Sequence, residues 1–167
     1  MRSARFVEAL RHLARHDVEF VVVGMLSGVL HGAPVTTFDV DIVHRRTPEN
    51  VQRLVAALKE IDAVYRADRR RIAPGESHLI GPGHQLLTTR LGDIDCLGTI
   101  DGEQTFEDLI TEAATLELGE GLRCRALSLE QLIGIKERAG RPKDLAALPV
   151  LRATLEERSR PPGSNEE

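Results

Sequence analysis

Four apolar residues in a row, Phe20-Val21-Val22-Val23, stop at Gly24. A run this short, rich in β-branched side chains and apolar on both faces, reads as a strand buried on both sides. Such a strand needs cover above and below, and the chain carries helical patterns to supply it. Over residues 4–15, Phe6, Leu10 and Leu13 recur at spacings of four and three, the period of an amphipathic helix. Thr47-Pro48-Glu49-Asn50 offers a cap residue and a proline at the first helical position. It predicts a helix to about Glu60 that buries Val51, Leu54, Val55 and Leu58. Ser128-Leu129-Glu130-Gln131 is a capping-box pattern, opening a helix that runs to about Ala139. Lys143–Glu157 predicts the last helix, with shorter ones over 25–32 and 105–114.

The remaining strands follow from alternation. Thr37-Phe38-Asp39-Val40-Asp41-Ile42-Val43 alternates polar and apolar, so Phe38, Val40 and Ile42 share one face and Asp39 and Asp41 the other. Leu86–Leu91 and Ile94–Leu97 read as a hairpin turning at Gly92-Asp93, and residues 123–126 as a further strand. Residues 66–85, with Pro74-Gly75 and Gly81-Pro82-Gly83, read as a loop with room for a short helix. The expectation is an α/β fold, a small mixed sheet flanked by helices. A length of 167 residues suits one domain, placed at 1–157, with 158–167 as a disordered polar tail.

Composition excludes some functions. Aromatic residues make up 3% of the chain, too few for a surface that stacks single-stranded bases. The net charge of -4 gives no broad basic face for a phosphate backbone, although His44-Arg45-Arg46 and Arg66, Arg69, Arg70 and Arg71 form local clusters. Two cysteines, Cys96 and Cys124, lack any metal spacing and predict a reduced, cytoplasmic setting. No apolar run is long enough to cross a bilayer, and the N-terminus has no leader pattern.

Asp39 and Asp41 are the residues that point to chemistry. Two carboxylates on one strand face repel unless a proton or a divalent cation lies between them. Magnesium suits such oxygens and usually takes substrate phosphates as further ligands. Asp95, between Ile94 and Cys96 on a later predicted strand, can supply a third carboxylate. Gly24, before a helical segment, offers backbone N–H groups to phosphate.

These residues resemble the polymerase-beta-like nucleotidyltransferase superfamily. The match runs through Val21-Val22-Val23-Gly24-Met25, Phe38-Asp39-Val40-Asp41-Ile42 and Gly92-Asp93-Ile94-Asp95, over roughly residues 15–150. The segment 28–42, with His31-Gly32-Ala33-Pro34 and Thr36-Thr37, is similar to small bacterial nucleotidyltransferases of abortive-infection and toxin–antitoxin systems. So is the segment 132–148, with Lys136 and Lys143-Asp144-Leu145. The resemblance implies a nucleotidyltransferase-like fold and transfer of a nucleoside monophosphate from an NTP to an acceptor hydroxyl, with two magnesium ions. It implies that Asp39 and Asp41 hold both metals, and that Asp95 holds one and helps deprotonate the acceptor. Gly24 and the N–H groups near Ser27 would meet the triphosphate, Lys136 would neutralise phosphate charge, and Asp144 would orient it or cap a helix.

Two positions depart from the pattern: Met25 stands where the family prefers Gly or Ser, and Val35 where many relatives have Arg. They leave open a nucleotide- or metal-binding protein without turnover, or an antitoxin-type partner. Lys136 also reads as a solvated helix lysine, Lys143-Asp144 as a helix start, and the 66–71 arginines as a solvated loop. RNA, protein or a small molecule can serve as acceptor, held at a homodimer interface or by another chain.

Overall fold

The structure is a computed structural model that describes residues 2–161 and Gly163. Its strands are β1 (Phe20–Val23), β2 (Val40–His44), β3 (Val64–Tyr65), β4 (His84–Thr89), β5 (Gly92–Leu97), β6 (Ala114–Glu117) and β7 (Arg123–Ala126). They form one seven-stranded sheet in the order β3-β4-β5-β2-β1-β7-β6. The sheet is mixed: β1 runs antiparallel to β2 and parallel to β7, and β2 runs parallel to β5. All four residues of β1 are buried, as a strand near the centre of a covered sheet requires.

Helices cover both faces. On one side α1 (Arg2–Arg15) and α3 (Pro48–Glu60) press Leu10, Leu13, Leu54 and Leu58 against Val22, Val40, Ile42 and Cys96. On the other, α5 (Phe106–Ile110), α6 (Leu129–Ala139) and α7 (Pro142–Ser159) set Phe106, Leu132, Leu148 and Leu151 against Val21, Val23, Val43 and Leu97. Each fully buried leucine contributes about 1.5–3 kcal/mol, so the two aliphatic layers compensate for the scarce aromatics. Two short helices complete the chain, α2 (Gly24–Leu30) and α4 (Glu76–Leu79).

The predicted caps are present. Thr47 accepts the Asn50 N–H at the start of α3, and Ser128 and Gln131 bond reciprocally at the start of α6. α6 ends at Gly140, whose φ of 63° is the left-handed conformation that glycine adopts without steric cost. Several elements differ from the sequence reading. The hairpin turns at Arg90-Leu91, because Thr89 and Gly92 already pair across the ladder. The helix expected over 105–114 stops at Ile110, and residues 114–117 form edge strand β6, whose burial alternates as an edge strand's does. Strand β3, two residues long, falls below what periodicity resolves. The strand expected from Thr37 begins at Val40, its first residue paired with β5, and Phe38 is exposed instead of sharing the face of Val40 and Ile42. α7 reaches Ser159, two residues into the expected tail, while residues 162 and 164–167 of that tail lie outside the described residues.

One buried side chain ties three elements together. Asn50 is fully buried; its Oδ1 accepts the Glu19 N–H at 2.7 Å, and its Nδ2 donates to the Glu19 and Arg45 carbonyls at 3.0 and 2.8 Å. The start of α3 is thereby fixed to the start of β1 and the end of β2. Asn50→Ala removes all three bonds and is expected to cost about 2–4 kcal/mol, read as a lower urea midpoint at unchanged m-value.

Candidate active site

The register of the central strands builds the site. Asp41 pairs with Val23 of β1 on one side and with Asp95 of β5 on the other. Residues two apart along a strand share a face, so Asp41 and Asp95 lie on the face of Val43 and Leu97, away from α1 and α3. Asp39 stands just before β2, half-buried. The sequence reading put Asp39 and Asp41 together on one strand; the tertiary structure makes Asp41 and Asp95 the paired carboxylates.

Gly24 closes in from β1. Its φ is 64°, and a Cβ there would stand 2.6 Å from Asp41 Oδ2. Both the conformation and the close approach therefore demand glycine. Beside it, Asp41 Oδ1 is buried with no hydrogen-bond partner. Burial first, then the charge and hydrogen bond of Asp95 and the charge of Asp39, push the Asp41 carboxyl up to about 7, against the opposing pull of Arg66. Asp39 is raised too, chiefly by burial and then by Asp95. An orphaned carboxylate oxygen in a hard oxygen donor set, reached by a glycine backbone, fits a divalent cation such as magnesium.

Arg66, directly after β3, is the residue that sequence reading misplaced. Instead of lying on a solvated arginine loop, its Nη2 donates to Asp95 Oδ1 and to the Leu87 carbonyl, and its Nε lies 3.3 Å from Asp93 Oδ2. The other basic clusters disperse: Arg70 pairs with Asp68, Arg45 with Glu19, and buried His44 bonds the Leu79 carbonyl. The one available signal was local. Val64-Tyr65 is a β-prone pair, and a strand there brings the next residue onto the sheet face. Asp95 leans onto Arg66, and the three carboxylates do not bring one oxygen each within 4.8 Å of the others. Among the described residues, the one trio of His, Cys, Asp or Glu side chains with ligand atoms within 4.8 Å of one another lies elsewhere, at His12, His16 and Glu60.

Asp39, Asp41 and Gly24 line one wall of a cleft of about 460 Å³. Leu97, Leu127, Leu132 and Ile135 give it an apolar lining, and Lys136, Arg141, Lys143 and Asp144 supply a second wall from the α6–α7 segment. Asp144 is fully buried. Its Oδ1 accepts from Lys136 Nζ at 3.1 Å and its Oδ2 from Arg141 Nε at 2.6 Å. These bonds, Arg141 foremost and then Lys136, hold its carboxyl down at about 2. Asp144 thus stays ionised and holds two cations that line the same cleft as Asp39 and Asp41. Arg141 was not singled out in the sequence, because Gly140-Arg141-Pro142 reads as a helix break.

Ser27 does not line the cleft: it is fully buried, and its hydroxyl donates to the Gly24 carbonyl at 2.5 Å. His31 is buried as well, its Nε2 donating to the Leu127 carbonyl at 2.8 Å. Cys96 and Cys124 are free and buried, with their thiols pushed up by burial, so neither is a nucleophile.

The comparisons with known proteins bear on the fold. No family profile matches the chain, and no curated protein matches it. A Thermotoga maritima crystal structure described as a "putative nucleotidyltransferase" superposes with a TM-score of 0.56. It is 20% identical, and the match covers 94% of this chain and 96% of that one. The fold is nucleotidyltransferase-like, a mixed sheet flanked by helices. No helix among the described residues is long and apolar enough to cross a membrane.

The raised carboxyls make stability depend on pH. The folded state holds Asp41 neutral up to about 7, whereas the unfolded chain ionises it near 4. Its stabilisation is complete below pH 4 and disappears as pH rises through 7. In metal-free protein, Asp41→Asn is expected to raise Tm at pH 8 on the order of 5 °C, with the gap closing toward pH 4. Thermal melts of both proteins from pH 4 to 8 check this.

Proposed function

We propose that this chain is a magnesium-dependent nucleotidyltransferase that moves a nucleoside monophosphate from an NTP to an acceptor hydroxyl. The observation that carries the reading is the cleft with two walls. Asp39 and Asp41 line the same cleft as the cations Lys136 and Arg141, with Asp95 paired to Asp41 on β5, an arrangement that suits a metal-bound triphosphate. Asp39, Asp41 and Asp95 would hold one or two magnesium ions, which when bound would screen the charge of the phosphates and of the departing pyrophosphate. Gly24 lets backbone approach the donor, and Lys136 and Arg141 attract its phosphate oxygens. The acceptor oxygen bonds the α-phosphorus as the bond to the β-phosphate bridging oxygen breaks. Pyrophosphate leaves, and the acceptor proton passes to Asp95. Arg66 holds Asp95 in place before the donor arrives. Positioning and charge neutralisation carry such a reaction.

The reading extends to the finer expectations: a cytoplasmic chain of the small bacterial abortive-infection or toxin–antitoxin type, with residues 1–157 as one unit. RNA, a protein or a small molecule is the acceptor, held by a homodimer or a partner protein. A second reading has a specific observation in its favour. Met25 lines the cleft, the Ser27 hydroxyl is turned inward, and Arg66 neutralises Asp95. These features suit a protein that binds nucleotide and metal without turnover.

Calorimetric titration with ATP, GTP, CTP and UTP, with and without magnesium, tests the proposal. Binding is expected to need metal and to vanish in Asp39→Ala/Asp41→Ala. Lys136→Ala should weaken it about tenfold, near 1.4 kcal/mol. Release of pyrophosphate from the preferred NTP with an acceptor pool supports transfer. Binding without release supports the second reading, and a folded wild type that binds no nucleotide overturns both.

A further inference from the structure

His12 lies in the last turn of α1 and His16 directly follows the helix, four residues on, so the turn between them brings their rings to the same side. The ring centroids are 4.9 Å apart. Glu60, the last residue of α3, reaches the same point from the neighbouring helix. Its Oε2 lies 2.7 Å from His16 Nε2 and 3.7 Å from His12 Nε2. One ligand atom from each of the three side chains falls within 4.8 Å of the others. The cluster sits with α1 and α3, on the opposite side of the sheet from the cleft, and the proposed transferase does not use it.

We propose that His12, His16 and Glu60 form a zinc site that clamps α1 to the end of α3. Zinc in four-coordinate sites takes imidazole nitrogen and carboxylate oxygen at about 2.0–2.2 Å. Tetrahedral angles then put neighbouring ligand atoms roughly 3.4 Å apart, and the two separations at Glu60 Oε2 lie on either side of that value. Small side-chain rotations therefore suffice. The donor set of two nitrogens and one oxygen favours zinc over magnesium, which prefers an all-oxygen octahedron. Three protein ligands leave one position for water. The histidine side chains are 16% and 24% exposed and that of Glu60 is 61% exposed, so an ion has an open path in. In the unliganded site His12 Nε2 donates to the Ala57 carbonyl at 2.7 Å. Ligation through that nitrogen gives up this bond and moves the ring proton to Nδ1, which holds the affinity below that of closed structural zinc sites.

The test uses the full chain, stripped with chelator, and zinc titrated against a chromophoric chelator. It is run in wild type and in Asp39→Ala/Asp41→Ala, so that zinc entering the cleft is counted separately. The expected result is one zinc per chain that persists in the Asp39→Ala/Asp41→Ala background and in excess magnesium. Binding should weaken at least about tenfold in His12→Gln/His16→Gln. Glu60→Gln, a change at an exposed helix end, should weaken it as well and serves if the histidine variant does not fold. Cobalt in place of zinc should give the visible absorption of a four-coordinate ion in the same proteins. No binding, binding unchanged in the His12/His16 or Glu60 variants, or binding lost only with Asp39 and Asp41 would overturn the site. The trio would then be an ordinary histidine–carboxylate contact between helices.

Discussion

The ladder of β1, β2 and β5 sets Asp41 between Val23 and Asp95, and the rest of the site is arranged around that pairing. Neighbouring strands lie about 4.8 Å apart. Two unit charges at that spacing repel by roughly 3 kcal/mol at an effective dielectric of 20. The sheet cannot slip to relieve this. A shift of one residue would turn Val40, Ile42 and Val43 out of their cores along with the carboxylates. The apolar packing on both faces thus holds two acids together against their repulsion. The structure answers with a raised Asp41 carboxyl and with Arg66 on Asp95.

Charge is distributed across the cleft by the same logic. On one wall the carboxylates lack a full complement of cations, and an oxygen of Asp41 has no partner. On the other, one buried carboxylate serves two cations: Asp144 bonds both Lys136 and Arg141. Each wall is unbalanced alone, which is the charge pattern on which the proposed metal and nucleotide binding rests. The helical hairpin of α6 and α7 brings the second wall into place, with Gly140 in its left-handed conformation at the bend. Core packing and site electrostatics therefore meet in one short segment, 136–144.

Gly24 connects strand, helix and site. It ends β1, starts α2 at a positive φ, and leaves no atom where a side chain would strike Asp41. Ser27, one turn on, is occupied in closing that bend, with its hydroxyl on the Gly24 carbonyl. The hydroxyl that a phosphate-binding reading would assign to the ligand instead stabilises the turn that brings the glycine to the carboxylate.

The sequence by itself determined the elements whose signals are local. Caps at Thr47 and Ser128, the apolar run 20–23 and the alternation 40–43 each depend on residues within one turn or one strand. They were legible for that reason, as were the α/β class and the candidates Asp39, Asp41, Asp95 and Gly24. What the sequence could not decide were relations between distant segments. That Asp41 pairs with Asp95 and Asp39 falls outside the strand depends on where β5 begins its ladder. That Arg66 leaves its arginine run for Asp95 depends on a two-residue edge strand, and that Arg141 joins Lys136 on Asp144 depends on how α7 folds back on α6. The meeting of His12 and His16 with Glu60 depends on the packing of α1 against α3. Period and propensity fix which face a side chain takes on its own element; only the packing of elements fixes which other face it meets.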